Sequence, residues 1–375
     1  MIPVWGDPHE WTNPEPLRGE AEADVCVVGL GGSGLAAVGA LLEAGASVVG
    51  LDAGPVGGGA AGRNGGFLLA GGALFHHAAV QAWGHERAVG IYEESLAEID
   101  RLAAELGDVV RLVGSLRTPA DAGEAADCAR HREALERDGF PAAELDGGVL
   151  VPSDGAIDPL ARCRLLAGRA VAAGARLYAG TPATAITGAR VTTPGGAVAC
   201  AAVVVTVDGG LERVLPELAD AVRSTRLQML ATEPVAEPVA PRPVYHRWGY
   251  DYWQQLPDGR LALGGGRDRH AEGEWGAPAE PGEAVQAELD RVLREDVGVD
   301  AAVTHRWAGV VAYTEDRLPV LARVRPGVIA AGAHCGHGNV LGSAAARAAA
   351  GIALGRPAGR LASLLRPEVW TSSRG

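Results

Sequence analysis

The run Gly29-Leu30-Gly31-Gly32-Ser33-Gly34 restricts this chain more than any other feature, because of what flanks it. Asp24 to Gly29 (DVCVVG) reads as a short buried strand. Ser33 to Ala44 has helical composition, with Gly45 as its stop, and Ser47 to Asp52 (SVVGLD) reads as a second strand. A strand–helix–strand unit of this kind forces its strands to be parallel. Gly29 permits the tight turn, Gly31 lets backbone approach a pyrophosphate, and Gly34 lets helix and strand lie close. The helix start at Gly32 and Ser33 turns free N–H groups and partial positive charge toward phosphate. Asp52, at the end of the second strand, is placed to accept hydrogen bonds from ribose hydroxyls. In a chain with 54 glycines the glycine spacing alone would say little; the strand, helix and acid around it predict a dinucleotide site.

Two further glycine loops extend the pattern. Gly57 to Gly66 (GGGAAGRNGG) carries Arg63 and Asn64 directly after the second strand and can lie along a long cofactor. Gly332 to Gly342 (GAHCGHGNVLG) repeats the strand, glycine loop, helix order between Gly327–Gly332 and a small-residue helix over Val340–Leu354. Such a helix N-terminus can stabilise negative charge on a reduced flavin ring. His334 and His337 lie in this loop, where capping or solvent roles compete with catalysis.

Elsewhere the chain changes character. Apolar spacing predicts helices over Ile91–Leu106 and Glu283–Asp296, and Asp158-Pro159 starts a helix running to Ala173. Ala202 to Val207 is a central strand, and Thr304–Val311 is another. Arg226–Thr232 and Tyr245–Gly265 alternate, with a hairpin turn at Asp258-Gly259, and predict an antiparallel sheet. That sheet carries Tyr245, Trp248, Tyr250, Tyr252 and Trp253, with Arg247, Arg267 and Arg306 nearby. Aromatics plus an arginine fork suit an amine or amino acid bearing a carboxylate, although each residue taken singly also fits strand packing. The predicted class is thus mixed α/β, a Rossmann-like domain with an inserted antiparallel-sheet domain. The first takes residues 20–75, 150–225 and 317–365; the second takes 76–149 and 226–316.

Composition narrows the chemistry. The chain has 375 residues, enough for two domains, and a formal charge of −13, which argues against nucleic acid as a partner. All 33 basic residues other than histidine are arginine, so no lysine Schiff base or lysine general base is possible. Cys26, Cys128, Cys163, Cys200 and Cys335 form no C-x-x-C pair, which predicts reduced thiols, no metal site and a cytoplasmic location. No apolar run predicts a membrane span, and Met1–Glu22 lacks the pattern of a signal peptide.

The segments ADVCVVGLGGSGLAAVGALLEAGASVVGLDAG, AGRNGGF, YDYWQQLPDGRLALGGGRD, RWAGVVAYTEDRLPVLARV and GAHCGHGNVLG together resemble the D-amino-acid oxidase superfamily of FAD enzymes over nearly the whole chain. The Arg63-Asn64-Gly65-Gly66 loop is most similar to its putrescine-oxidase branch. The resemblance implies an FAD domain of the glutathione-reductase-2 type and a substrate domain whose antiparallel sheet roofs the flavin. It implies cofactor contacts from Gly29, Gly31, Gly32, Ser33, Gly34, Asp52, Arg63, Asn64, Gly65, Gly66 and Ala183. From the C-terminal loop it implies Gly332, Gly336, His337, Gly338, Asn339 and Val340. The reaction it implies is oxidation of a C–N bond of an amine or amino acid, with electrons passed to O2 or another acceptor. His337, Tyr252 and Arg267 are the catalytic candidates. The chain departs from the sarcosine-oxidase pattern at three places: Ala262 and Val340 stand near lysine positions, and Val311 near the cysteine that tethers the flavin. These departures imply non-covalent FAD and a different substrate anchor. An NAD-dependent dehydrogenase, or a flavin-bearing subunit of a larger dehydrogenase, are the alternatives.

Overall fold

A computed structural model describes residues 2–357 and 359–365. The chain divides into two compact units, each assembled from separated segments. One takes Asp7–Gly62, Pro159–Ser224 and the chain from Val311 on; the other takes the residues up to Gly6, Arg63–Asp158 and Thr225–Val310.

The first unit is built on a largely parallel sheet. Gly19–Val28 lies at its centre, parallel to Val48–Leu51 on one side and to Gly196–Val205 on the other. Arg176–Tyr178 extends the first side, and Val328–Gly332 pairs parallel with Val203–Val205. Antiparallel partners finish the edges: Arg190–Thr193 on Gly196–Val205, and Val320–Arg325 on Val328–Gly332. The inner strands are continuous β-branched runs because helices cover the sheet. Cys26, Val49, Leu51, Val203, Val205, Val328 and Ala330 form the core. Gly19–Val28 starts earlier than its apolar run, since Glu20 and Glu22 continue the pairing to Ala197 and Ala199 with their side chains exposed.

The second unit centres on an eight-stranded, mostly antiparallel sheet. Its order is Val303–Tyr313, Arg223–Pro234, Arg260–Gly264, Asp251–Gln255, Val244–His246, Ser115–Thr118, Gly148–Val151, Ala143–Leu145. The Asp258-Gly259 hairpin forms, with Gly259 at φ +89° and Leu256 N–H donating to Arg260 O at 2.8 Å. One face of this sheet packs on helix Glu283–Glu295 through Leu230, Val244, Trp253, Leu263, Leu289 and Val292. The other face carries Met229, Ala231, Ala262 and Trp307. Tyr252 and Gln254 share that second face by the alternation of a strand. Among the described residues no helix is long and apolar enough to cross a membrane.

Candidate functional site

The nucleotide-type turn is dictated by contact. A Cβ on Gly34 would lie 1.8 Å from the carbonyl oxygen of Gly29, so only glycine lets helix Gly32–Glu43 start this close to its strand. Gly29 itself sits at φ +103°. Gly31 is the N-cap, and no side chain caps the helix, so its first-turn N–H groups face outward without a side-chain acceptor. Asp52 braces the turn: Oδ2 accepts from Leu30 N–H at 2.7 Å and Oδ1 from Gly54 N–H at 2.9 Å. Each oxygen keeps a second lone pair for a ribose hydroxyl. Burial raises the Asp52 pKa, against these two backbone bonds.

The C-terminal loop closes onto the same helix. Ala333 and Cys335 adopt left-handed backbone, φ +49° and +53°, followed by Gly336 at +85°. This brings His334 inside, 3% exposed, where its backbone N–H donates to Asp208 Oδ1 at 2.8 Å. Its Nε2 lies 3.2 Å from Ser33 Oγ. Cβ atoms on Gly338 or Gly342 would meet the His334 ring at 3.2 and 2.8 Å. His337 stays half-buried at the loop tip, with Nδ1 3.4 Å from Cys335 O. That carbonyl can only accept, so Nδ1 carries the proton in this bond.

The helix expected from Val340 begins differently. One wide turn over Gly338–Gly342, with Gly342 N–H donating to His337 O, precedes the regular helix Ser343–Ala353. Arg162, 1% exposed on helix Pro159–Ala172, braces this turn. It donates to Asn339 O at 3.1 Å and to Ser343 Oγ, while Ser343 Oγ donates to the same Asn339 carbonyl. Two side chains thus engage the Asn339 carbonyl inside the wide turn. The Arg162 guanidinium also lies against Gly32, 2.9 Å from where a Cβ would be. Arg162 therefore ties both glycine loops to one helix. No spacing rule in the sequence announces it. Of the remaining expected contacts here, Val340 is buried, Gly332 abuts the Val207 carbonyl, and Ala183 packs half-buried against the sheet core.

In the other unit, the loop Arg63–Gly66 is firmly fastened. Trp307 Nε1 donates to Arg63 O at 2.7 Å, Trp5 Nε1 to Asn64 O at 2.9 Å, and Gln254 Nε2 to both Gly65 O and Gly66 O. Asn64 Oδ1 in turn accepts from Gly66 N–H at 2.8 Å. Four consecutive carbonyls thus accept side-chain donors, a design that glycine content alone did not reveal. Tyr252 stands beside Gly65 and Gly264, whose hypothetical Cβ atoms would lie 3.0 and 2.5 Å from its ring, and it contacts Phe67 and Tyr245.

The aromatic set does not form one wall. Trp253 points to the opposite face, into the core under helix Glu283–Glu295, and Trp248 is 44% exposed. The three arginines also separate. Arg247 is held by Asp251 and Asp268, and Arg306 by Asp290 and Gln286. Arg267 instead lies over the rings of Tyr250 and Trp275, 5.7 and 6.0 Å from their centroids. The three arginines therefore do not come together as one fork.

A parallel-sheet unit with an uncapped helix start, an acid ending the second strand, and a second glycine loop docked on that helix defines a dinucleotide-binding protein. The chain belongs to the FAD dependent oxidoreductase family, whose sequence pattern matches residues 24–352. It is 29% identical over 372 residues to the probable oxidoreductase OrdL of Rhizobium meliloti, covering 91% of this chain and 85% of that one. It is likewise 29% identical over 370 residues to the gamma-glutamylputrescine oxidoreductase of Escherichia coli, covering 86% and 82%. Its fold is similar to the crystal structure of glycine oxidase from Geobacillus kaustophilus, with a TM-score of 0.77, 20% identity, and 95% and 100% of the two chains covered. L-proline dehydrogenase from P. horikoshii gives a TM-score of 0.75 at 19% identity, covering 95% and 97%.

The residues present fit FAD. The cradle at Gly29–Gly34 is one that a single Cβ would fill, and its helix start is uncapped.

Proposed function

We propose that this protein oxidises the C–N bond of an amine or amino acid with non-covalently held FAD, and passes the electrons to O2 or another acceptor. The observation that carries the reading is the docking of the C-terminal glycine loop, through His334 and Arg162, onto the dinucleotide helix. A nicotinamide enzyme has no need of this second loop. The similarity to gamma-glutamylputrescine oxidoreductase favours an amine as the substrate class.

When bound, FAD supplies the two-electron acceptor for the carbon that bears the amine. In this reading Gly31–Gly34 hold the pyrophosphate by backbone N–H groups, and Asp52 takes a ribose hydroxyl. Gly332, Gly336, Gly338, Asn339, Val340 and Ala183 complete the cofactor's protein contacts in the parallel-sheet unit. Arg63, Asn64, Gly65 and Gly66 add the fastened loop. Arg267, its guanidinium spread over Tyr250 and Trp275, anchors a substrate carboxylate and needs no lysine to do so. The amine must lose its proton before its C–H bond is broken, and the Nε2 lone pair of His337 is the acceptor. Tyr252, set by Gly65 and Gly264, is an aromatic surface for the substrate body. Val311 offers no sulfur for a covalent tether.

The test is the visible spectrum of the purified protein, before and after acid precipitation, followed by anaerobic addition of amines. Flavin bands that move to the supernatant and bleach with one amine class are expected. A colourless protein that FAD cannot reconstitute would overturn the reading and favour the nicotinamide alternative. Bound flavin that bleaches with no amine would instead indicate a flavin-bearing subunit.

A further inference from the structure

His334 has one ring nitrogen engaged and one not. Nε2 meets Ser33 Oγ at 3.2 Å, while Nδ1 is buried with no hydrogen-bond partner among the described residues. Burial lowers the imidazole pKa, opposed by the charge of Asp208, so the ring carries a single proton. Two tautomers are available. With the proton on Nδ1, a buried N–H is orphaned and Ser33 must spend its hydroxyl proton on Nε2. With the proton on Nε2, the orphan is only a lone pair, and Ser33 Oγ becomes the acceptor. An orphaned buried N–H is the rarer and costlier defect. The Nε2–H form is therefore favoured, and Ser33 keeps its own proton to give.

Among the described residues no acceptor is shown for that proton. His334 is the hydrogen-bond partner shown for the Ser33 side chain. A serine in a helix commonly donates to the carbonyl four residues back. Here that carbonyl, Gly29 O, accepts from Thr206 Oγ1 at 2.9 Å. Ser33 is 8% exposed in the first turn of helix Gly32–Glu43, where the uncapped N–H groups gather. A hydroxyl donor at that place adds a charge-assisted bond to any phosphate oxygen the turn receives.

We propose that His334 is a positioning residue for the cofactor: by donating Nε2–H to Ser33 it fixes that hydroxyl as a donor to a pyrophosphate oxygen, so the C-terminal loop sets phosphate affinity. This rests on the FAD reading above. It distinguishes Ser33 from a residue chosen merely for small size, and it assigns His334 a role through Ser33 and not through substrate.

The experiment is FAD titration of the apoprotein, followed by flavin fluorescence, for the wild type, Ser33→Ala, His334→Phe and the double variant. Ser33→Ala is expected to weaken FAD by roughly 10- to 100-fold, the value of one hydrogen bond to a charged group. His334→Phe is expected to weaken it by less, and to cost nothing further in the Ser33→Ala background. Losses that multiply, or wild-type affinity in Ser33→Ala, would overturn the proposal. Nitrogen NMR of histidine-labelled apoprotein reads the tautomer directly and does not depend on a His334 variant folding. An Nε2–H ring is expected, and an Nδ1–H ring would overturn the proposal too. A wild-type protein that binds no FAD would remove the underlying reading, an outcome distinct from any difference among variants.

Discussion

Two glycines of one helix make opposite predictions for the same substitution. A Cβ on Gly34 would stand 1.8 Å from Gly29 O, 2.6 Å from Thr206 Oγ1 and 2.9 Å from Gly29 C. The closest of these atoms is backbone, so no side-chain rotation relieves the clash. The helix must retreat until that contact passes 3.0 Å, a shift of more than an ångström for the turn that presents the N–H groups. Overpacking of this kind costs about 1–3 kcal/mol, and a backbone obstacle places Gly34→Ala at the upper end. Better helix propensity returns roughly 0.5–1 kcal/mol, for a net loss of about 2 kcal/mol. Gly39, five residues further along the same helix, has nothing within 4 Å of its hypothetical Cβ. Gly39→Ala should therefore gain roughly 0.5–1 kcal/mol. At about 2–4 °C per kcal/mol for a unit of this size, melting of the apoprotein should fall by roughly 4–8 °C for Gly34→Ala and rise by roughly 1–4 °C for Gly39→Ala. FAD affinity, read by fluorescence titration, should drop more than about tenfold only in Gly34→Ala, because alignment of the first-turn donors is lost. If Gly34→Ala melts and binds FAD like the wild type, the close approach does not hold the helix in place, and the reasoning fails.

Three further outcomes follow from the geometry. Arg267→Ala should raise KM for carboxylate-bearing substrates roughly 10- to 100-fold while changing kcat little, and leave amines without a carboxylate unaffected in steady-state assays. Arg162→Met should lower the melting point of the apoprotein and weaken FAD, since Asn339 and Ser343 lose their guanidinium partner; unchanged values in both assays would mean the loops do not need it. His131 should make the protein acid-sensitive. Burial, helped by the charges of Arg117, His76 and His77, holds its pKa well below 6.5, and its Nδ1 accepts the His76 backbone N–H at 2.9 Å. A folded-state pKa below the unfolded one means the folded chain binds fewer protons. The stability is present above about pH 6.5 and is lost as pH falls toward the folded value. His131→Asn, which keeps an acceptor, should reduce the slope of stability against pH below that point by up to about 1.4 kcal/mol per pH unit. Urea melts at several pH values would show it, and an unchanged slope would count against the assignment.

The parallel unit was legible in sequence because its signals are local and obligatory. A carbonyl 1.8 Å from a Cβ position permits only glycine, so the turn is written in the residues that form it. The hairpin at Asp258-Gly259 was legible for a similar reason, its left-handed Gly259. What was missed depended on partners far along the chain. Helix Ala122–Arg137 buries Glu124, Cys128, His131, Ala134 and Leu135, a helical spacing hidden from hydrophobicity by its acid and its histidine. Ser115–Thr118 joins the large sheet parallel to Val244–His246, a pairing that no local pattern encodes. At the candidate site, the close glycine turn and its neighbouring Asp52 could be anticipated from the sequence. The bonds of Arg162 and Asp208 could not, because their partners come from distant segments.

The three-segment construction of the parallel-sheet unit has a consequence for how the protein is made. Strand Gly196–Val205 is synthesised about 120 residues before its partner Val328–Gly332. At roughly 5–20 residues per second a ribosome needs about 6–24 s to supply that partner, and longer for helix Ser343–Ala353. During this interval Val203–Val205 present an unpaired, β-branched strand edge, while the last segment of the antiparallel unit, Thr225–Val310, is made and completed. The parallel-sheet unit is therefore finished last, and its exposed edge is a natural client for a chaperone acting on the nascent chain.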